Sequence, residues 1–383
     1  MPAAPPPLHV LRNHSAQVSA LSFSSDNERL YSGDTQGRVV MTSTRTLRPV
    51  AVWQAHSDSI LGVEEWMGFV ITHGRDNKLH LWARPEIVHP VGSGTAISAP
   101  VIPELRKSMD VNALNFCRFS LAVGQGEDAL IALPNLVESS VADIWSLPAG
   151  DRLHAAIGKS AETEDPRDDS LPRGGTGIIM SLHLYQRSGL HLVTAFESGT
   201  VALWKNVTEG RPTVNGQGWQ ALWHAKLHVD SVMAMAVSPN LDFAITVSAD
   251  HLIGRYDLDE SSTDNPARAI QSKHAGNAAL SIRSDGRVCA VAGWDGKIRL
   301  YSTKSFKSLG SLTYHREGCF CVSFSHPVDG GSAASEDPGE PLAMTGDELI
   351  QRSTWLAAGS KDSRVSIWQL FDLNGAGTSS TRG

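Results

Sequence analysis

The sequence predicts an all-β fold, a single β-propeller of seven blades, on the basis of two repeated elements. The first is a turn rich in Asp, Gly or Ser, followed by alternating apolar residues and a closing Trp or Tyr. The second is a histidine that precedes an alternating strand by four residues. Both recur about every 40 residues, a spacing typical of propeller repeats.

Five clear copies of the turn and strand lie along the chain, and two weaker copies complete the set. The clear copies are Gly74–Trp82, Phe196–Trp204, Ser248–Asp257, Gly293–Tyr301 and Gly359–Trp368. Tyr31–Ser43 is weaker because Thr42 stands where the aromatic residue is expected. The most degenerate copy is GQGEDALIALPN, Gly124–Asn135. Alternation that ends in an aromatic residue is expected of a half-buried strand after a tight turn.

Histidines mark the opening of five repeats. The histidines in this anchor position are His14, His56, His228, His274 and His315. In the third and fourth repeats Lys107 and Gly175 hold the anchor position, before Val111 and Ile179. Repeats that begin with a histidine and end with a Trp-Asp-like pair are typical of WD40 proteins. The sequence therefore predicts a seven-bladed WD40 β-propeller.

The ring must close, because the apolar face of each blade is buried only by the next blade. Leu8–Arg12 precedes the first anchor, whereas the sequence ends soon after Phe371. We therefore expect Leu8–Arg12 to form the outer strand of the last blade, whose inner strands are Cys319–Ser325, Trp355–Ala358 and Arg364–Leu370.

One domain is expected, with polar insertions between its strands. The predicted units are the propeller at residues 8–373, insertions near 84–109, 158–174 and 327–353, and disordered ends at 1–7 and 374–383. The ends are small, polar or Pro-rich, and the last two insertions are rich in Pro, Asp, Glu and Gly.

Composition excludes several classes of protein. Of 383 residues, 41% are hydrophobic and 19% charged, which is not the composition of a largely disordered chain. No stretch has the length and apolarity of a membrane helix, and the N-terminus lacks the features of a secretory signal, so we expect a soluble intracellular protein. The net charge is −7 and no run of Lys and Arg is present, which disfavours direct binding of nucleic acid.

No cofactor, metal or catalytic site is predicted. Cys319 and Cys321 are separated by one residue, whereas zinc ligands and redox pairs use two intervening residues. The sequence contains no phosphate-binding loop, no His-Glu-x-x-His and no nucleophile elbow.

The anchor histidines are assigned a structural role. In a WD blade the anchor His, the turn Asp, a Ser or Thr of the second strand and the closing Trp form a hydrogen-bonded chain. The residues predicted to build it are His56, Thr72, Asp76 and Trp82, then His228, Thr246, Asp250 and Tyr256, and in the last blade His315, Asp362 and Trp368. Because the set recurs at repeat spacing, a catalytic interpretation is disfavoured.

A partner-binding surface is predicted at the mouth of the central channel. The residue before each turn Asp is expected to project there, namely Arg75, Trp294 and Lys361, with Glu197 before a Ser-Gly turn. An exposed Trp flanked by Arg and Lys is typical of binding hot spots. The alternative is that Trp294 packs over a neighbouring blade.

Several stretches resemble the ASTRA-associated WD-repeat proteins of fungi, and they are similar to the animal G-protein β-subunit-like WD protein. They are VLRNHSAQVSALSF, AHSDSILGVEEW, GRDNKLHLW, NFCRFSLAVGQGEDALIALPN, AVAGWDGKIRLY and LAAGSKDSRVSIW. The resemblance runs from about Pro7 to Leu370. It includes the degenerate third copy, which generic repeats would not reproduce.

The resemblance implies a non-catalytic scaffold subunit of the ASTRA complex, mainly nuclear and also cytoplasmic. It implies protein partners: RuvB-like AAA+ ATPases, HEAT-repeat cochaperones and a large phosphatidylinositol-3-kinase-like kinase or pseudokinase. The implied role is in the maturation of such kinases and in chromatin-linked transcription. Two alternatives are a substrate receptor of a ubiquitin ligase and, less favoured, a propeller enzyme with an active site in its channel.

Overall fold

The computed structural model describes residues 5–85, 100–114, 116–124, 128–159, 175–208, 211–259, 266–328 and 344–370. Seven four-stranded antiparallel sheets follow one another around a ring. The all-β class and the seven-bladed propeller predicted from the sequence are confirmed. No helix among these residues is long and apolar enough to cross a membrane.

The first three blades each run outward from an inner strand beside the channel. Blade 1 consists of β2 (Val18–Phe23), β3 (Arg29–Asp34), β4 (Arg38–Ser43) and β5 (Pro49–Gln54). Blade 2 consists of β6 (Ile60–Trp66), β7 (Phe69–Gly74), β8 (Lys78–Ala83) and β9 (Leu105–Asp110). Blade 3 consists of β10 (Ser120–Val123), β11 (Ala129–Pro134), β12 (Ala142–Leu147) and β13 (Arg152–Ile157).

The next three blades repeat this order. Blade 4 consists of β14 (Ile179–Gln186), β15 (Leu190–Phe196), β16 (Thr200–Asn206) and β17 (Trp219–Lys226). Blade 5 consists of β18 (Val232–Val237), β19 (Phe243–Ser248), β20 (Leu252–Asp257) and β21 (Ala267–Gln271). Blade 6 consists of β22 (Asn277–Ile282), β23 (Val288–Gly293), β24 (Lys297–Ser302) and β25 (Ser308–Thr313).

Blade 7 is built from both ends of the chain. Its inner strands are β26 (Cys319–Phe324), β27 (Trp355–Ser360) and β28 (Val365–Gln369), and its outer strand is β1 (His9–Leu11). Strand β1 pairs antiparallel with β28, with Val10 opposite Ser366. Leu8 extends the pairing through its N–H, 2.7 Å from the carbonyl oxygen of Ile367. The predicted closure of the ring by the N-terminal strand is confirmed.

The apolar residues are buried between neighbouring blades. Between blades 1 and 2, Tyr31, Trp53 and Ile60 pack in one cluster with Trp82. A similar cluster joins blade 7 to blade 1 and includes Leu11 of the closing strand. Because such burial stabilises by about 1.5–3 kcal/mol for each large side chain, each blade depends on its two neighbours.

The prediction for the third repeat is wrong by one strand. Lys107 lies in β9, the outer strand of blade 2, and not in an anchor position. Gly124 follows the inner strand of blade 3, so GQGEDALIALPN contains the second strand, β11, where the third strand was predicted. The aromatic residue of the third strand is Trp145 of β12. The inner strand has only four residues, too few for its alternation to reveal the register.

Two of the predicted insertions differ from expectation within the described residues. Strand β9 occupies the end of the predicted 84–109 insertion. A helix, α1 (Gly346–Arg352), lies inside the predicted 327–353 insertion, where Thr345 and Glu348 form a capping box. The rest of the insertions (86–99, 160–174, 329–343) and residues 1–4 and 371–383 lie outside the described residues.

Candidate functional site

The two rims of the propeller carry different turns. Because strands alternate in direction, the turns between second and third strands lie on the rim where each inner strand begins. We call this the upper rim. The lower rim carries the turns between first and second and between third and fourth strands.

Blade 2 has a complete hydrogen-bonded chain that reaches from the upper rim into the blade. His56 Nδ1 lies 2.8 Å from Asp76 Oδ1, and His56 Nε2 lies 2.8 Å from Thr72 Oγ1. Trp82 Nε1 donates to the same hydroxyl at 2.9 Å. The structure thus brings all four residues together, and burial lowers the pKa of His56, which favours the neutral imidazole.

Blades 5 and 7 carry related chains. In blade 5, His228 lies 3.0 Å from Asp250 Oδ2 and 2.7 Å from Thr246 Oγ1, while the ring of Tyr256 stacks on Trp223. His228, Thr246 and Asp250 are thus satisfied within the blade, whereas the buried hydroxyl of Tyr256 has no hydrogen-bond partner among the described residues.

In blade 7 the hydroxyl comes from the third strand. His315 Nδ1 lies 2.9 Å from Asp362 Oδ2, and His315 Nε2 lies 2.6 Å from Ser366 Oγ. Trp368 packs edge-on against the histidine ring at 6.2 Å, but its Nε1 has no hydrogen-bond partner among the described residues, so it joins the chain by packing and not by the predicted hydrogen bond. Sequence analysis missed Ser366, because Ala358 occupies the second-strand position where the hydroxyl was sought.

Blade 1 contains a chain that the sequence analysis did not assign. His14 lies 2.8 Å from Asp34 Oδ2 and 2.7 Å from Ser32 Oγ. The signal was present in the spacing from anchor to turn Asp, which is 20 residues in blade 1 as in blade 2.

The predicted anchor His274 does not join such a chain in blade 6. Its side chain is exposed, and the inner strand begins only three residues later, at Asn277. The segment is therefore one residue too short to bring the imidazole beneath the turn. Arg299 of β24 fills the space and pairs with Asp295, at 3.1 Å between Nη1 and Oδ1.

The three predicted partner residues occupy equivalent positions on the upper rim, and all three are exposed. The backbone N–H groups of Arg75, Trp294 and Lys361 donate to carbonyl oxygens at the start of the inner strand, over 2.8–2.9 Å. Trp294 is 47% exposed, and its ring also packs over Gly276. It is thus partly packed and partly open to a partner.

A repeated β-bulge lines the channel below this rim. In six of the seven blades one extra residue stands between the first two paired positions of the inner strand. The extra residues are Ser19, Leu61, Met180, Met233, Ala278 and Phe320. All of them border one cavity of about 250 Å³ in the channel, together with Phe116 beside blade 3. Bulges re-aim side chains, and here they point toward the channel.

The upper opening of the channel is apolar. We call Leu61, Phe116, Met180, Met233 and Phe320 the channel-mouth patch. Phe116 is 47% exposed and the others are half-buried. Met and aromatic side chains adapt to an apolar partner surface. Sequence analysis did not predict the patch, because a bulge interrupts the alternation from which strand faces are assigned.

The predicted partner residues border this patch. The Arg75 guanidinium lies 4.7 Å from the centre of the Phe116 ring. On the other side, a Cβ atom at Gly318 would lie 3.0 Å from the Phe320 ring and 3.1 Å from Trp294 O. Lys361 donates its backbone N–H to Gly318 O at 2.9 Å. Arg75 thus contacts the patch through its side chain, while Trp294 and Lys361 adjoin it through their backbones near Gly318.

Among the described residues, no group of three or more His, Cys, Asp or Glu is placed to hold a metal ion. The cysteines in these residues are buried and free, and burial raises the pKa of Cys117 to about 12. The histidine chains described above are engaged within their blades. The arrangement of the channel mouth is that of a binding surface.

Comparison with known proteins identifies the family. The family profile described as ASTRA-associated protein 1 matches residues 7–325. The ASTRA-associated protein 1 of Verticillium alfalfae is 32% identical, over 97% of this chain and 94% of the relative. That of Pyricularia oryzae is 30% identical over 97% and 98%, and that of Schizosaccharomyces pombe is 28% identical over 96% and 99%. The chain belongs to the ASTRA-associated protein 1 family.

Proposed function

We propose that this protein is a non-catalytic scaffold subunit of the ASTRA complex that holds a partner protein across the mouth of its channel. The channel-mouth patch, bordered by Arg75, Trp294 and Lys361, is the observation that carries the proposal. Contiguous exposed apolar surface next to Arg and Trp is the composition of protein-binding hot spots. The relatives' name indicates association with ASTRA, and a rigid ring of seven blades fits a scaffold role.

The partner segment has a defined chemistry. An apolar side chain would enter the patch between Met233 and Phe320, and a carboxylate beside it would meet Arg75 or Lys361. Both cationic side chains are exposed, so they contribute orientation and association rate more than affinity. By resemblance, the proposed partners are RuvB-like ATPases, HEAT-repeat cochaperones and a large phosphatidylinositol-3-kinase-like kinase or pseudokinase. The proposed role is in maturation of such kinases and in chromatin-linked transcription, in the nucleus and also in the cytoplasm.

Purification of the tagged protein from its own cells, with mass spectrometry of the co-purifying proteins, tests this function. We expect the wild-type protein to recover the proposed partners. The double variant Arg75→Glu/Trp294→Ala should recover about tenfold less, since hot-spot residues contribute most of the binding energy. Arg48→Glu, an exposed cation on the lower rim, is the matched control and should recover wild-type amounts.

Three outcomes would contradict the proposal. Recovery of cullin-ligase components in place of the proposed partners would favour a ubiquitin-ligase receptor. Full recovery with the double variant, at an unchanged melting temperature, would show that the channel mouth is not the binding surface. A protein purified without partners would reopen the hypothesis of a propeller enzyme.

A further inference from the structure

A basic pocket lies on the lower rim between blades 5 and 6, away from the channel mouth. Its volume is about 670 Å³. Five cationic residues from four separate segments line it: Arg255, Arg268, Arg283, Arg287 and Lys304. Among the described residues, Asp242 is the one carboxylate in the lining. The described lining therefore contains more cationic than anionic side chains, in a chain whose net charge is −7.

Two of the arginines face each other across adjacent strands. Arg255 of β20 and Arg268 of β21 are directly opposed in the register of the sheet. Like charges in this position destabilise a sheet. Burial and the charge of Arg268 both lower the pKa of Arg255. An anion between the two guanidinium groups would remove this repulsion.

Arg255 is also incompletely satisfied. Its guanidinium lies 4.3 Å from the centre of the Phe243 ring, and its Nε is buried without a hydrogen-bond partner among the described residues. A buried donor without an acceptor destabilises the folded protein. Since this cost accompanies the repulsion from Arg268, the structure retains two unfavourable terms that one anionic ligand would offset.

Neighbouring carboxylates are already engaged. Asp285 pairs with Arg283 and accepts the backbone N–H of Arg287 at 2.9 Å. The carboxylate of Asp242 accepts the hydroxyl of Ser238. Asp285 thus fixes the turn that carries Arg283 and Arg287, whereas Asp242 fixes the turn before Phe243.

The frame of the pocket is held by hydrogen bonds between its turns. Thr303 Oγ1 donates to Gly286 O at 2.6 Å, and the N–H of Thr303 donates to Arg287 O at 3.0 Å. These bonds join the turn of Arg283 and Arg287 to the turn of Lys304. A fixed frame reduces the entropy lost when a ligand binds.

We propose that this basic pocket binds a phosphorylated serine or threonine of a partner protein. Guanidinium groups pair with phosphate oxygens in a fork geometry, and a phosphate offers three acceptor oxygens, which suits convergent arginines better than one carboxylate does. Leu309, 40% exposed, and Phe243 give apolar contact for the peptide residue beside the phosphate. The compact pocket offers no extended basic stripe for a nucleic-acid backbone.

Fluorescence anisotropy with the purified full chain tests the pocket. The probe is a labelled mixture of heptapeptides with a central phosphoserine or phosphothreonine and random flanking residues, and the reference is the unphosphorylated mixture. We expect the phosphorylated mixture to bind at least about tenfold more tightly. Inorganic phosphate should compete with it.

Charge-reversal variants locate the binding. Arg268→Glu and Lys304→Glu change exposed side chains of the pocket and should each weaken binding about tenfold. Arg48→Glu, on the same rim in blade 1, should change it less than twofold. Trp294→Ala should leave it unchanged, so failure at the channel mouth and failure at this pocket are distinguishable.

Three results would overturn the proposal. The first is equal affinity for the phosphorylated and unphosphorylated mixtures, including no binding of either. The second is unchanged affinity in Arg268→Glu and Lys304→Glu at wild-type melting temperature. The third is displacement of the phosphopeptides by a short DNA duplex or by phosphoinositide vesicles at lower concentration than by phosphopeptide itself, which would assign the pocket to nucleic acid or to a membrane surface.

Discussion

The second and sixth blades fill the same space with different side chains. Gly74 and Gly293 stand at equivalent positions before the upper-rim turn. A Cβ atom at Gly74 would lie 2.4 Å from His56 Nδ1, and one at Gly293 would lie 2.8 Å from Arg299 Nη1. In both blades glycine leaves room for a side chain that binds the turn Asp. An imidazole from before the inner strand fills that room in blade 2, and a guanidinium from the third strand fills it in blade 6.

The difference shows that the repeat preserves the shape of a space and its polar balance, not the residue that fills it. Blade 2 binds its turn Asp with a neutral imidazole, because burial lowers the pKa of its histidines. Blade 6 uses an ion pair between Arg299 and Asp295. The guanidinium of Arg299 is buried, whereas the carboxylate of Asp295 is half-exposed. The two blades should therefore respond differently to pH and to loss of a partner.

Acid should weaken blade 2 more than blade 6. Burial lowers the pKa of His73 to about 3 and that of His80 to about 4, from 6.5 in the unfolded chain. Below pH 6.5 the unfolded chain binds protons that folded blade 2 excludes, so the free energy of unfolding falls between pH 6.5 and pH 4. The slope is about 1.4 kcal/mol per pH unit for each histidine.

Denaturant unfolding from pH 7.5 to pH 4.5 measures this slope. The variant His80→Leu should flatten it, whereas the variant His274→Ala should follow the wild type. Equal slopes in wild type and His80→Leu would contradict the assignment of the acid sensitivity to blade 2.

Removal of the anchor histidine should reduce stability much more in blade 2 than in blade 6. His56→Ala leaves a cavity and deprives Thr72 and Asp76 of their partner, so we expect a loss of about 3 kcal/mol. His274→Ala removes an exposed side chain and should change stability by less than about 0.5 kcal/mol. Chemical denaturation of both variants gives the comparison. A similar loss in the two would mean that His274 packs in the folded protein.

The sequence predicted the ring but not which residues complete each blade. Spacing and alternation identify seven repeats and the closing strand, because both follow from strand geometry. His274 illustrates the limit: its distance from the next strand is one residue short, which only the strand boundary reveals. The role of Arg299 as partner of the turn Asp could not be predicted from the sequence. The alternation of a strand does not show which of its polar side chains occupies the space that the anchor histidine leaves empty.

The two candidate surfaces show the same limit. Arg75, Trp294 and Lys361 come from equivalent turns, so the repeat pattern was sufficient to group them. The basic pocket draws its cations from four separate segments around Arg255 and Lys304, and no run of Lys and Arg marks it in the sequence. Surfaces formed by equivalent positions are predictable from a repeat, whereas surfaces formed between unlike turns need the fold.

Loss of the turn Asp in blade 6 should cost about 2 kcal/mol. Asp295→Ala leaves the buried guanidinium of Arg299 without its carboxylate. A fully buried pair would lose about 3–5 kcal/mol, but Asp295 is half-exposed and water reaches part of the site. Asp295→Glu is the control and should recover part of the loss. No loss in Asp295→Ala would show that Arg299 is satisfied by other groups.

The hydroxyl of Thr72 offers the smallest and most closely matched comparison. Val291 holds its position in blade 6, opposite Arg299 as Thr72 is opposite His80. Thr72→Val gives blade 2 the residue of blade 6 at nearly equal volume, but His56 and Trp82 each lose a hydrogen bond, so we expect a loss of about 1–2 kcal/mol. Val291→Thr places a hydroxyl among apolar neighbours and should cost about 1 kcal/mol. Denaturant unfolding measures both changes. An unchanged free energy of unfolding in Thr72→Val would mean that the hydrogen bonds from His56 and Trp82 to Thr72 add no net stability to blade 2. The two blades would then differ in composition but not in how they are stabilised.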